Sequence, residues 1–140
     1  MSMIDDPMIE GLGRFLDIDV ARHKLITANL ANIDTPGYRT RDLDFHAELA
    51  RASVEAARDQ WASDAGYGES YALAALPSGA TPVVRRVRGL LERPDGNNVN
   101  LERESLLLAE NQMKFNLGIQ LIRDQFHGIS QAINSGGTSS

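Results

Sequence analysis

The sequence predicts a mainly α fold: two long terminal helices that pair as an antiparallel coiled coil. Between them lies a loop-rich middle with a short hairpin or extended segment. Three observations carry this reading. Apolar residues recur at alternating three- and four-residue steps near both ends of the chain. The centre turns rich in Gly, Ala and Ser. Aromatic residues make up 6% of the chain, which suits helices packed through Leu, Ile and Ala rather than a large compact core.

The first helix runs from Met8 to about Ile33. Asp5 or Asp6 can cap it, with Pro7 at the first helical position, where its missing N–H costs nothing. Ile9, Leu12, Leu16, Ile26, Leu30 and Ile33 form one stripe, interrupted at two central positions by Asp19 and His23. Phe15, Ile18, Ala21, Leu25 and Ala28 form a second stripe on a neighbouring face. Two apolar faces require cover from more than one side, and a two-helix monomer covers one. The second face is therefore expected to meet other subunits.

The helix ends in the most specific stretch of the chain, Ala28-Asn29-Leu30-Ala31-Asn32-Ile33-Asp34-Thr35-Pro36-Gly37-Tyr38. Pro36 pushes Thr35 out of the α region. Pro36 and Gly37 suit the centre of a type II turn, whose second position needs positive φ. Asn29, Asn32, Asp34 and Thr35 can bond nearby backbone, and Tyr38 adds an aromatic body with a polar tip.

Beyond the turn, Arg39–Phe45 is polar with Leu43 and Phe45 as apolar anchors. His46 to about Trp61 suits a short helix, and residues 63–81 read as a loop. Val83, Val84 and Val87, interleaved with Arg85, Arg86 and Arg88, suit an extended segment; Pro94-Asp95-Gly96-Asn97 is a turn. Asn100 can cap the last helix, with Glu102 and Glu104 favoured in its first turn by the helix dipole. In that helix Leu101, Ser105, Leu108, Gln112, Phe115, Ile119, Ile122, Phe126, Ile129 and Ile133 follow strict three-four steps. Leu106, Ala109, Met113, Leu117 and Leu121 flank them, and a Gly- and Ser-rich tail follows Asn134. The terminal helices would be about 40 and 50 Å long. The chain divides into residues 1–45 (helix and turn), 46–98 (a variable middle) and 99–140 (coiled-coil helix and tail).

Composition narrows the function. A net charge of −5 argues against nonspecific nucleic-acid binding, and the absence of cysteine excludes disulfides and thiol catalysis. No apolar run reaches transmembrane length, so direct membrane insertion is not expected. The acidic N-terminus does not resemble a cleavable secretory signal. Phosphate-binding loops, nucleophile elbows and zinc or calcium motifs are missing, and His23, His46 and His127 lack ligand spacing. No cofactor, metal site or catalytic residue is expected. Asp34, Asp42 and Asp44 are a loose carboxylate cluster with no cleft wall supplied for acid–base work. The arginines from Arg85 to Arg93 read as a solvated or subunit-facing strand.

Three motifs carry a resemblance. Asn29-Leu30-Ala31-Asn32-Ile33-Asp34-Thr35-Pro36-Gly37-Tyr38 resembles the N-terminal signature of the bacterial flagellar rod, hook and hook-associated proteins. Arg41-Asp42-Leu43-Asp44-Phe45 resembles the continuation in the proximal rod branch of that family. Asp95-Gly96-Asn97-Asn98-Val99-Asn100-Leu101-Glu102-Arg103-Glu104 is similar to the stretch that opens that branch's C-terminal helix. The resemblance implies a non-enzymatic structural subunit of the proximal rod of the flagellar basal body. Such a subunit would leave through the flagellar type III apparatus without signal cleavage and stand in the periplasmic rod. Its implied partners are copies of itself, other rod proteins, the basal adaptor and the export gate with its membrane ring. The turn residues Asn29 to Asn32 and Asp34 to Tyr38 would form the assembly corner. Leu12, Leu16, Ile26, Leu30, Leu108, Phe115, Ile119, Ile122, Phe126 and Ile129 would pack the helices. Alternatives are another short rod subunit, or a soluble helical adaptor or export chaperone for axial proteins.

Overall fold

The computed structural model describes residues 7–64 and 81–136. Helix α1 spans Pro7–Ala31, strand β1 Arg41–Leu43, helix α2 Phe45–Asp64, strand β2 Val84–Arg86 and helix α3 Leu101–Gly136. The caps expected at Asp5 or Asp6, and most of the loop read at 63–81, lie outside the described residues. Ser63 and Asp64, read as loop, are the last residues of α2, and Ser135 and Gly136, read as tail, still belong to α3.

Helices α1 and α3 pair antiparallel. Asn29 bonds Glu104, Asp19 bonds Asn111, and Leu16 stands against Gly118, so one number falls as the other rises. With 25 and 36 residues, the helices are about 38 and 54 Å long. The last turns of α3 therefore run past the described start of α1. Phe126, expected in the seam, is 56% exposed.

The seam is also rotated from the expected stripe. Leu108, Phe115, Ile119, Ile122 and Ile129 are half-buried, and they alternate with buried Glu104, Asn111 and Gly118. Ser105 and Gln112 face solvent. The reason is steric and polar together. A Cβ on Gly118 would lie 2.7 Å from Leu16 Cδ2, so glycine lets the helices approach. Glu104 and Asn111 turn inward because α1 offers them partners. On α1, Ile26 is fully buried and Leu12, Leu16 and Leu30 are half-buried.

The second stripe of α1 corrects the sequence reading, which assigned it to other subunits. Phe15, Ala21 and Leu25 pack with buried Ile18, Leu43 and Phe45 and with Leu49 and Ala52, so β1 and α2 of the same chain cover this face. Phe15 meets Phe45 edge-on, with ring centroids 5.2 Å apart. The Lys114 ammonium of α3 lies 4.6 Å over the Phe45 ring. Asp44 caps α2, its carboxylate accepting from the Ala47 N–H at 3.1 Å.

Strands β1 and β2 form a two-stranded antiparallel ribbon, with Arg41 opposite Arg86, Asp42 opposite Arg85 and Leu43 opposite Val84. Buried Glu48 of α2 holds the approach to β2 by accepting from the Val83 N–H at 3.1 Å.

Candidate functional site

The type II turn forms as its residues dictate. The Tyr38 N–H donates to the Thr35 carbonyl at 3.2 Å, and Gly37 has φ +72°. A second turn, Arg93 to Gly96, faces it and closes with the Gly96 N–H on the Arg93 carbonyl at 2.8 Å. Gly96 has φ +82°, and a Cβ there would stand 3.4 Å from the Gly37 Cα. The Gly37 N–H donates to the Asp95 carbonyl at 2.8 Å, and the Asn98 N–H to the Tyr38 carbonyl at 3.3 Å. The motif at 29–38 and the motif at 95–104 thus form one corner, far apart in sequence and joined backbone to backbone.

Asparagine side chains lock that corner. Asn29 is buried; its amide donates to the Arg41 carbonyl at 2.8 Å and to Glu104 Oε2 at 2.9 Å. Its Oδ1 accepts from the Arg41 N–H at 3.1 Å and the Tyr38 hydroxyl at 3.2 Å. Asn97, also buried, donates to the carbonyls of Asn32, Ile33 and Thr35, closing the end of α1 where helix carbonyls lack internal partners. Its Oδ1 accepts from the Val99 N–H at 2.8 Å. Asn98 Oδ1 accepts from the Thr40 N–H at 2.8 Å, and Asn100 caps α3 through the Arg103 N–H at 2.9 Å. Asn32 donates to the Ala28 carbonyl and accepts from the Thr35 hydroxyl. Leu30 is half-buried behind this corner, while Ala31 and Pro36 are on its exposed side. Asp34 stands outside it: its side chain is 95% exposed, and Arg93 approaches no nearer than 3.9 Å.

The three carboxylates grouped in the sequence do separate jobs. Asp34 is solvated and Asp44 caps α2. Asp42 accepts a forked pair from Arg22 at 3.1 and 3.2 Å and a further bond from Arg103 at 3.2 Å, tying α1, β1 and α3 together. Among the described residues no three His, Cys, Asp or Glu side chains are placed to hold a metal ion.

Further along the seam lies a second polar contact that sequence reasoning treated as an interruption. Asp19 is fully buried, and the Asn111 amide donates to its carbonyl at 3.0 Å and its Oδ2 at 3.2 Å. Among the described residues no donor reaches the buried Asp19 Oδ1 or Asn111 Oδ1. Burial pushes the Asp19 carboxyl above its ordinary value, against the pull of Lys114, His23 and Arg22. His23, spaced to pair with Asp19, instead lines a cavity of about 210 Å³ with Asp19, Val20, Asn111, Gln112 and Phe115. Nearby, the Lys114 ammonium 2.6 Å from Glu110 holds that carboxyl below its ordinary value.

Of the residues the sequence assigns to the turn, Asn29, Asn32, Thr35, Gly37 and Tyr38 take part in the corner's hydrogen bonds, whereas Asn97, Asn98, Glu104, Asn111 and Gly118 were not among the expected site residues. The signal for Asn97, Asn98 and Glu104 was the motif that contains them. Asn111 and Gly118 had none, because polar and glycine positions inside an apolar helix read as solvent-facing.

No family model matches the chain. Curated relatives do. The flagellar basal body rod protein FlgB of Cereibacter sphaeroides is 33% identical over 117 residues, covering 80% of this chain and 82% of the relative. Proteins of the same name from Salmonella typhimurium and Yersinia ruckeri are each 29% identical, over 123 and 139 residues. These alignments cover 86% and 91% of this chain and 88% and 97% of the relatives. With an antiparallel pair of terminal helices and both signature motifs joined in one corner, the chain belongs to the flagellar basal body rod protein FlgB family.

Proposed function

We propose that this chain is a structural subunit of the flagellar basal-body rod, standing at the rod's proximal end. The corner fixes the angle at which the chain leaves α1 and enters α3, so each copy presents its two terminal helices as one rigid unit. The observation that carries the reading is the outer face of α3. Leu106, Met113, Leu117 and Leu121 are 70, 67, 53 and 38% exposed, on the side turned away from the α1 seam. A stripe of this kind marks a surface made to be covered. Neighbouring subunits in a shaft would cover it, and many such buried contacts would transmit torque.

The partners in this reading are copies of the chain and other rod proteins, with the basal adaptor and the export gate of the membrane ring at one end. The chain reaches the rod through the flagellar type III apparatus. A chain that must unfold for export needs modest stability alone. The buried apolar residues among those described are few: Ile18, Ile26, Leu43, Phe45 and Val99. Assembly then supplies the remaining stabilisation by mass action.

Electron cryotomography of basal bodies, with the gene deleted and then restored, tests the proposal. Rings without a rod, rescued by the restored gene, are the expected result. Intact rods in the deletion strain would defeat it and favour a soluble adaptor or export chaperone.

A further inference from the structure

We propose that the cavity beside Asp19 is a socket for an arginine side chain from a second copy of this chain, supplied by the Arg41–Arg86 pair of the β1–β2 ribbon. The inference rests on the rod-subunit reading and names one contact within it.

The socket is defined by two buried oxygens that the chain's described residues leave without a donor, Asp19 Oδ1 and Asn111 Oδ1. Asp19 is 0% exposed and Asn111 1%, so these are built positions rather than surface groups. Buried acceptors left without a donor are costly, and a carboxylate paired with an amide oxygen suits a guanidinium fork. The cavity's volume of about 210 Å³ accommodates such a side chain. Val20 and Phe115 give its walls an apolar surface for the methylene stem of an arginine. Burial already pushes the Asp19 carboxyl upward, and an incoming guanidinium would return it to the ionised form.

The plug is an independent observation. Arg41 and Arg86 stand directly opposite one another in the ribbon's register, both exposed. Like charges in that position destabilise a strand pair. Arg14, Arg22, Arg39, Arg51, Arg93 and Arg103 each have a carboxylate partner. Among the described residues Arg41, Arg85, Arg86, Arg88 and Arg123 form no ion pair, and of these Arg41 and Arg86 are the two set opposite each other in the ribbon. A basic pair of this kind in a chain of net charge −5 calls for an acidic site elsewhere. Socket and plug are different patches of one chain. Their contact is therefore head to tail, which repeats into a ring or a helical array rather than closing a dimer.

The chain has no cysteine, so cross-linking can be directed cleanly. Val20→Cys places a thiol at the socket rim, and Val84→Cys places one beside Arg86 with both arginines intact. Basal bodies carrying both substitutions, treated with a short bismaleimide, should give a ladder of cross-linked subunits, and neither single variant should. Rods that contain the double variant without cross-linking, or dimers from Val20→Cys alone, would overturn the socket and leave the rod reading in place. Failure to find the wild-type chain in basal bodies at all would instead sink the rod reading. A second measurement uses the purified full chain titrated with n-butylguanidinium. The Asn111 side-chain amide signals should shift in NMR spectra, and Asp19→Asn should abolish the shift. No shift, or an equal shift with n-butanol, would refute the socket, including the case in which Asp19 simply keeps its proton.

Discussion

Replacing Asn29 tests the corner most directly, because its side chain joins α1, β1 and α3 at one buried point. Asn29→Ala removes four hydrogen bonds, to the Arg41 carbonyl, the Arg41 N–H, the Tyr38 hydroxyl and Glu104. At about 1 kcal/mol net for each, with more for the buried Glu104 oxygen left behind, the loss is about 3–5 kcal/mol. Asn29→Asp is the sharper probe. It keeps the shape and both acceptor roles but sets a carboxylate where the amide now donates to Glu104 Oε2 at 2.9 Å. Two unit charges about 4 Å apart repel by about 4 kcal/mol at an effective dielectric near 20, in addition to the lost donor. That approaches the whole stability of a small domain. Protonating either carboxyl restores a donor, so the paired carboxyls of the variant have a folded-state value raised above the ordinary one. The variant is then penalised as pH rises through that value and recovers as pH falls. Urea unfolding followed by helical circular dichroism at pH 7 and pH 5 measures this. The midpoint gap between Asn29→Asp and wild type should be large at pH 7 and shrink at pH 5. Equal midpoints at pH 7 would show that the Asn29 amide does not hold Glu104.

Other outcomes follow from the same geometry. Gly37→Val should block incorporation into rods, because a β-branched residue at φ +72° carries roughly 1–3 kcal/mol of backbone strain; normal rods would contradict this. Gly118→Leu should destabilise the helix pair by about 1–3 kcal/mol, since even its Cβ meets Leu16, and adding Leu16→Ala should recover part of the loss in thermal melts. The raised Asp19 carboxyl binds its proton more tightly folded than unfolded, so its contribution is present at acid pH and lost as pH rises through the folded value. The stability difference between wild type and Asp19→Asn should follow that titration in the free chain; a difference constant from pH 4 to 7 would remove it. Leu106→Gln with Leu117→Gln should leave the free chain's unfolding midpoint nearly unchanged while abolishing motility, as expected if that face is covered by neighbours.

The sequence by itself determined the local elements. Pro36 and Gly37 specify their turn through φ alone, Asn100 specifies a helix start by capping, and the three-four spacing specifies two long helices. These depend on residues within a few positions of one another, so they can be read in one dimension. The family signature was legible for the same reason, being written in contiguous runs. Tertiary structure decided the rest. Whether Glu104 and Asn111 face water or α1 depends on Asn29 and Asp19, many residues away, and spacing cannot report a partner across a seam. The rotation of the α3 stripe follows from Gly118, whose missing side chain matters only where Leu16 approaches. The second face of α1 looked unpartnered because Phe45, Leu49 and Ala52 lie on an element whose own periodicity is weak. Asn97 was unremarkable as one polar residue in a turn. It becomes the cap of α1 only because the chain returns to that helix's end, where backbone carbonyls buried without donors would otherwise oppose folding.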